Sequence, residues 1–535
     1  MIEQGRKKWG YPDLTDGKEV GYALLMFGLF PERTPPCFSG RQFADYIFSH
    51  TREYSASSHY YIEYKASRNV RLSRLFGIPH PEAHWELCSF IGSQWDKINA
   101  TIGKHDVGFS YCHIRKFLKD EVIYRLSYGT DYKKEEDELN YSLGCRYVVK
   151  TDISNFYPSI YSHAIPWAIM GKEWSKDNRG TNFTENKKKK RKTYRSEPNL
   201  DLWPNDLDRL VRACKDDETN GILIGPHTSS VLSEILLTVI DSSLKDNGFS
   251  KVVRYIDDYK FFADSEEQAI QFLKKLESEL KKFELMLSPK KTEILKFEDY
   301  YVKSNDWVDK LQRHSFSTDY EPLGFTSVYH FLESVRELAE EIGNSSVLSY
   351  AFKKMSNLCL SDRAIRLYAE YVFQLALFDP YLLNFLDEVI LDSENELRIE
   401  EKQFRRFLMM LKRRALETKE TDTLGFLFYY SIQHDIELNF TTDEIEAMVE
   451  IEDCIPLVLA FRYASTSFYE LELFNKLEQK AKFYNSQAYP RDYDKYWLFI
   501  YEALPYENIS DPFLSDLKKH EIQWMHFRNE RQRVF

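Results

Sequence analysis

Lys251-Val-Val-Arg-Tyr-Ile-Asp-Asp-Tyr-Lys-Phe-Phe262 is the stretch that decides the fold. Val252-Val253 and Phe261-Phe262 are short strand-like runs, and between them lies Tyr255-Ile-Asp-Asp258, so the segment reads as a β-hairpin with two aspartates at its tip. Alone, such a pair is a turn device, because Asp bonds its own backbone and tolerates unusual dihedrals. A carboxylate further up the chain changes that reading. Tyr147-Val-Val149 reads as a short buried strand with Lys150-Thr-Asp152 as its exit, and Asp152 opens the segment Asp152-Ile-Ser-Asn-Phe-Tyr157.

Carboxylates on neighbouring strands of one sheet can hold two Mg²⁺ ions roughly 3.5–4 Å apart and clamp the attacking and leaving oxygens of a phosphoryl displacement. The protein then positions and neutralises, with little covalent chemistry of its own. Oxygen donors suit a hard cation, and no His cluster favours zinc. The seven cysteines are odd in number, scattered and never spaced C-x-x-C, which excludes a disulfide framework and fits a reducing cytoplasm. The apolar run Val20 to Phe30 stops at Pro31-Glu32, too short to span a bilayer, so no membrane partner is expected.

The chain has 535 residues and formal net charge −12, which predicts two to four domains with ample apolar content for their cores. The charge is unevenly spread. Residues 331–535 hold 24 basic and 36 acidic side chains and two glycines, whereas the preceding part carries 48 of each charge. The expected division is therefore 1–330 and 331–535, an α+β part followed by an all-α domain of packed helix pairs, for which a HEAT-like repeat is the expected subtype. Within the first part, Leu87, Cys88, Ile91, Trp95 and Ile98 predict one helix of roughly four turns. Ser229–Leu244 and Glu266–Phe283 predict two more, the latter with a stripe of Ile270, Leu273, Leu276, Leu280 and Phe283. Residues 171–220, rich in Gly, Asn, Lys and Asp and holding six consecutive basic residues at Lys187–Lys192, read as an inserted surface loop.

Four motifs occur in order: Asp152-Ile-Ser-Asn-Phe-Tyr157, Gly221-Ile-Leu-Ile-Gly-Pro-His-Thr-Ser229, Tyr255-Ile-Asp-Asp258 and Leu287-Ser-Pro-Lys-Lys-Thr292. Their order and spacing resemble the successive palm motifs of reverse transcriptases, which implies a right-hand palm and fingers. By that resemblance Asp152 and Asp257 are metal ligands, the Ile153 carbonyl is an added ligand and Asp258 is the accompanying carboxylate. The cofactor implied is a pair of Mg²⁺ ions, with Mn²⁺ as a substitute. Tyr157 matches the bulky position that stacks under the sugar and selects dNTPs. Ser229 and Lys290 (or Lys291) match further nucleotide-binding positions. Arg68, Arg71 and Arg74 resemble the finger region, where guanidinium groups take a triphosphate, although a solvated basic face reads equally well. Leu323-Gly-Phe325 is similar to the primer-grip turn, but is as readily an ordinary glycine turn.

Ile224 departs from the pattern, since template-copying relatives commonly place Gln before the glycine. With Gly-Pro-His-Thr-Ser after it, the chain resembles the abortive-infection and other defence-associated reverse transcriptases of bacteria, the AbiK kind. The resemblance implies a cytoplasmic bacterial enzyme of anti-phage defence that makes DNA from dNTPs without copying a template, primed from a protein hydroxyl and so covalently attached to its single-stranded product. It also implies a homo-oligomer and leaves a noncoding RNA as a candidate partner. No priming residue is assignable. Tyr54, Tyr60, Tyr61 and Tyr64 cluster upstream, but buried packing explains them better. Two other readings stay open: an RNA-templated reverse transcriptase of the retron or group II kind, and an inactive palm serving as a nucleic-acid-binding scaffold. The acidic helical part is expected to enclose the palm or pack against other copies rather than grip duplex broadly.

Overall fold

The computed structural model describes residues 16–50, 52–55, 57–70, 72–102, 112–115, 125–128, 133–178, 201–303, 307–308, 311, 322–391, 399–468, 470–487 and 490–527. It is mixed α+β. The strands are β1 (Tyr61–Ser67), β2 (Ser73–Pro79), β3 (Cys112–Arg115), β4 (Arg125–Tyr128), β5 (Tyr147–Asp152), β6 (Val252–Tyr255), β7 (Asp258–Ala263) and β8 (Glu293–Lys296). β1 pairs with β2 and β3 with β4, while the other four form an antiparallel sheet in the order β6-β7-β5-β8.

Two compact units divide the chain, and no single cut near residue 330 separates them. The first comprises residues 1–31, 39–61 and 77–304, and the second 32–38, 62–76 and 305–535. In the first unit the four-stranded sheet buries both faces. On one, Val148, Val253 and Phe262 cluster with Cys145 and Tyr300. On the other, the helix Glu266–Lys281 lays Phe272 flat on Phe261, ring centroids 4.4 Å apart. That helix starts at Ser265, whose hydroxyl accepts from the Gln268 N–H. Its buried stripe is Ala269, Phe272, Leu276 and Leu280 rather than the expected Ile270 and Leu273, with Ile270 left 40% exposed. A Phe filling the gap over a Phe outweighs the more aliphatic but one-residue-shifted stripe.

The apolar run from Val20 lies on the helix Gly17–Gly28, which packs against Pro81–Ser93. A Cβ at Gly92 would come within 2.5 Å of the Gly17 carbonyl, so this approach requires glycine. Among the described residues no helix is long and apolar enough to cross a membrane. The single helix expected around residues 87–98 is two, Pro81–Ser93 and Trp95–Ile102, separated at Gln94. The expected insertion at 171–220 is also too long. Lys172–Asp177 is helical, and Trp203–Ala213 is a core helix that buries Leu207, Leu210 and Val211. Its polar residues misled the composition reading, because Asp206 and Asp208 are themselves buried. Lys187–Lys192 lies outside the described residues.

Apart from its share of β1 and β2 and two one-residue bridges, the second unit is helical among its described residues. Its longer helices are Phe325–Ile342, Ser346–Ser356, Asp362–Phe378, Glu401–Thr418, Thr421–Gln433 and Leu471–Asn485. Their lengths vary, and π-helical turns at Asp387–Leu391 and Tyr463–Ser467 interrupt the regular geometry. Residues 62–76 are built into this unit: Tyr64 donates to Asp422 (2.7 Å), as does the Ser67 N–H (2.8 Å). Leu323-Gly-Phe325 begins a helix, tied by a one-residue bridge to Leu360, and is not a turn between strands.

Candidate active site

The sheet register brings the aspartates together. Asp152 ends β5 directly opposite Asp258, the first residue of β7, and Asp257 occupies the tight connection from β6. The Ile153 N–H donates to the Asp257 carbonyl at 3.3 Å, so the chain leaving Asp152 is fastened to the hairpin tip. From the other side, the Ser288 N–H donates to the Asp152 carbonyl (2.7 Å) and the Ser154 N–H to the Met286 carbonyl (2.8 Å), which seats Ile153 against Leu287. Three of the four motifs thus meet within a few residues of one strand end.

The tip itself is strained. Ile256 has φ +56°, a left-handed conformation that costs a non-glycine residue roughly 1–2 kcal/mol. Arg254 holds it there. This guanidinium is fully buried and donates to the Ile256 carbonyl (2.9 Å), to both oxygens of Glu234 (3.0 Å each) and to Asp241 (2.8 Å). Tyr259 adds a hydrogen bond to the other Asp241 oxygen at 3.0 Å. The network lies on the face opposite Asp152 and Asp258, by the two-residue period of a strand.

Asp152, Asp258 and Lys291 line a cleft of about 290 Å³ together with Lys150, Lys260, Tyr255 and Glu138. The Asp258 carboxyl is pushed up to about 6, first by loss of solvent around it and then by the charges of Asp257 and Asp152, with Lys291 pulling the other way. Lys291 donates to Asp152 and is held above its ordinary pKa chiefly by that bond. Three crowded carboxylates with one ammonium on them, all oxygen donors, fit hard divalent cations. Asp152 and Asp257, with Asp258 beside them, are the residues that could hold such ions.

The remaining predicted residues are placed unevenly. Tyr157 is half-buried on the short helix Phe156–Ser159 just after Ile153, and its carbonyl accepts from the Ile222 N–H at 3.0 Å. Gly221, at φ +79°, donates to the Ile160 carbonyl at 3.0 Å, so the second motif lies along the first. Ser229 is not brought to the cleft. It is 4% exposed and lines a separate cavity of about 20 Å³ with His84, Cys214 and Thr228. Lys290 is exposed in the 3₁₀ turn Pro289–Lys291, and its neighbour Lys291 makes the contact with Asp152. Arg68 sits in the β1–β2 turn, in the second unit, where its N–H donates to the Leu72 carbonyl (2.8 Å). Arg71 lies outside the described residues.

Sequence reasoning missed Lys150, Lys260 and Glu138. The two lysines were findable, because each is two residues from an aspartate on its strand and so shares its face. Glu138, which bonds Lys260 through both oxygens at 2.9 Å, comes from a separate helix and left no signal.

Comparison with known proteins bears on this geometry. Residues 182–326 match the family described as Reverse transcriptase (RNA-dependent DNA polymerase), a span that includes Asp257, Asp258 and Lys291 but begins after Asp152. That stretch is therefore similar to a reverse-transcriptase domain. No curated protein matches it. Among solved structures it is similar to apo telomerase from Candida tropicalis, with 12% identity over 81% of this chain and 71% of that one and a TM-score of 0.33. Another is telomerase from Candida albicans in complex with a fragment of telomeric RNA, with 10% identity over 79% and 66% of the two chains and a TM-score of 0.28.

Proposed function

We propose that this chain is a DNA polymerase of reverse-transcriptase type, joining dNTPs by two-metal nucleotidyl transfer. The observation that carries the reading is the register that sets Asp152 against Asp258 with Asp257 at the adjoining turn. Asp152 and Asp257 hold the metal ions in this reading, with Asp258 as the accompanying carboxylate. Bound there, Mg²⁺ would neutralise the triphosphate and favour loss of the proton from the attacking hydroxyl. Lys291, whose ammonium reaches Asp152, is suited to meet the charge of departing pyrophosphate. Tyr157 stacks beneath the sugar and selects deoxynucleotides.

The finer part of the proposal is synthesis without a copied template, in the cytoplasm of a bacterium defending itself against phage. Ile224 supports it, being an apolar residue where a template-copying relative commonly uses an amide. A protein hydroxyl is the proposed primer. Exposure favours Tyr54 among the clustered tyrosines, since it is 38% exposed whereas Tyr64 is wholly buried and Tyr60 5% exposed. The helical unit is read as repeat-like, because its helices pack chiefly on those one or two places away in sequence.

Asp257→Asn should abolish incorporation of labelled dNTP while leaving the melting temperature unchanged within a few degrees. Activity that survives this change in a folded protein would falsify the metal assignment. Sequencing the product made with and without added RNA separates the finer readings: product complementary to the RNA overturns template independence and leaves the polymerase assignment intact.

A further inference from the structure

The acidic helical unit contains one helix of opposite character. Glu401–Thr418 carries Lys402, Arg405, Arg406, Lys412, Arg413 and Arg414 against Glu401 and Glu417, a quarter of the 24 basic residues after position 330. It packs beside Asp362–Phe378, and side chains reaching between the two fix their relative direction. Gln403 donates to the Arg366 carbonyl (3.2 Å), Arg406 lies 3.8 Å from Glu370, and the Arg414 guanidinium stands over the Phe378 ring at 5.5 Å. Both residue numbers rise together along this seam, so the helices run parallel. Their outer faces therefore present two rows at one-turn spacing, Arg366, Glu370, Gln374 and Phe378 on one helix and Lys402, Arg406, Met410 and Arg414 on the other, roughly 18 Å long.

A solvated charged face is the bland account, and part of the track fits it. Arg405 pairs with Glu401 at 3.0 Å and Arg413 with Glu417 at 2.8 Å, one turn apart on the same helix. Two features go beyond it. Phe378 is 63% exposed and Met410 46%, large apolar side chains set among guanidinium groups rather than in the core. Lys402 and Arg414 have no carboxylate partner among the described residues, and the buried Arg414 Nε meets no acceptor. Exposed ion pairs are worth about 0–1 kcal/mol, so Arg366 with Glu400 (3.5 Å) and Arg406 with Glu370 can exchange their carboxylates for other anions.

We propose that this two-helix track binds single-stranded polynucleotide: Arg366, Lys402, Arg406 and Arg414 take backbone phosphates, and Phe378 with Met410 gives bases an apolar platform on which to stack. A row of cations beside an exposed aromatic is the recognised chemistry of sequence-tolerant strand binding. A duplex hides its base faces and would leave Phe378 and Met410 unused. The site stands on the helical unit alone and does not depend on the palm being active.

The test uses the full chain and 20-residue oligo(dT) and oligo(rU) strands, each with a photoreactive thio-substituted base. Crosslinked peptides from residues 362–418 are expected, and adducts confined to residues 1–304 overturn the proposal. In fluorescence anisotropy, Lys402→Glu with Arg406→Glu should weaken binding at least tenfold at 100 mM salt. It should also flatten the plot of log affinity against log salt by about 0.7 for each phosphate no longer neutralised. Phe378→Ala should weaken it at least fivefold with the salt slope unchanged. Weaker binding of either strand type supports the site; unchanged affinity for both strands in all three substitutions overturns it. Should the Glu pair lower the melting temperature, Lys402→Gln with Arg406→Gln gives the same readout without adding carboxylates.

Discussion

Asp258 carries the tension of the candidate active site. It faces Asp152 directly across two paired strands, and like charges so placed oppose pairing. Burial first, and then the charges of Asp257 and Asp152, make its carboxyl harder to ionise than an ordinary aspartate. A palm with no use for cations would gain by losing one of these groups. Asp258→Asn should therefore stabilise the metal-free protein by about 0.2–1 kcal/mol, the usual range for relieving a cross-strand conflict. In the same thermal-unfolding experiment, millimolar Mg²⁺ should raise the melting temperature of the unmodified protein but raise that of the variant less, because only binding to the native state shifts the equilibrium. Equal stabilisation of both by Mg²⁺ would show that the cation binds elsewhere.

At the scale of elements, the hairpin tip is shaped from beneath. Arg254 is fully buried, and its fork satisfies Glu234, Asp241 and the carbonyl of the strained Ile256. Breaking such a network leaves charges buried without partners, which costs roughly 3–5 kcal/mol. Lysine keeps the charge but cannot reproduce the fork. Arg254→Lys should lower unfolding stability by about 2 kcal/mol or more in denaturant titration. It should reduce nucleotide incorporation more than that of a control variant destabilised equally in the second unit. Matching losses in the two would make Arg254 a structural residue only. The same elements show what the sequence discloses. The hairpin and the Asp152 strand were legible because alternation and β-branching act over a few residues, and the helix from His227 because its apolar period persists for five turns. Arg254 was invisible, since a single arginine on a strand looks exposed until the preceding helix folds back and brings Glu234 and Asp241 onto it. Ser229 and Lys290 matched a motif by position, yet burial and a 3₁₀ turn set one in a separate cavity and put Lys291 on Asp152.

Across the whole molecule, the division at residue 330 followed composition and could not reveal that residues 62–76 are bound into the helical unit. The fastening is a buried acidic pair. Asp422 receives Tyr64 and the Ser67 N–H, and Asp453 caps the helix Cys454–Arg462 by accepting from the Ile455 N–H at 3.1 Å. Burial, followed by opposing smaller effects from Thr421 and the Asp422 charge, pushes Asp453 up to about 7. An unfolded aspartate titrates near 3.9. A carboxyl raised on folding stabilises the native state fully below its unfolded pKa, and that stability is lost as pH rises through the folded pKa. The protein should therefore weaken between about pH 4 and pH 7 by way of this group. Asp453→Asn keeps a good helix cap and removes the titration. Thermal unfolding of both proteins at pH 5 and pH 8 should show the variant gaining on the unmodified chain at the higher pH by at least about 1 kcal/mol, roughly 2–4 °C. A constant difference at both pH values would mean that Asp453 is ionised throughout and that the fastening of residues 62–76 is insensitive to protons.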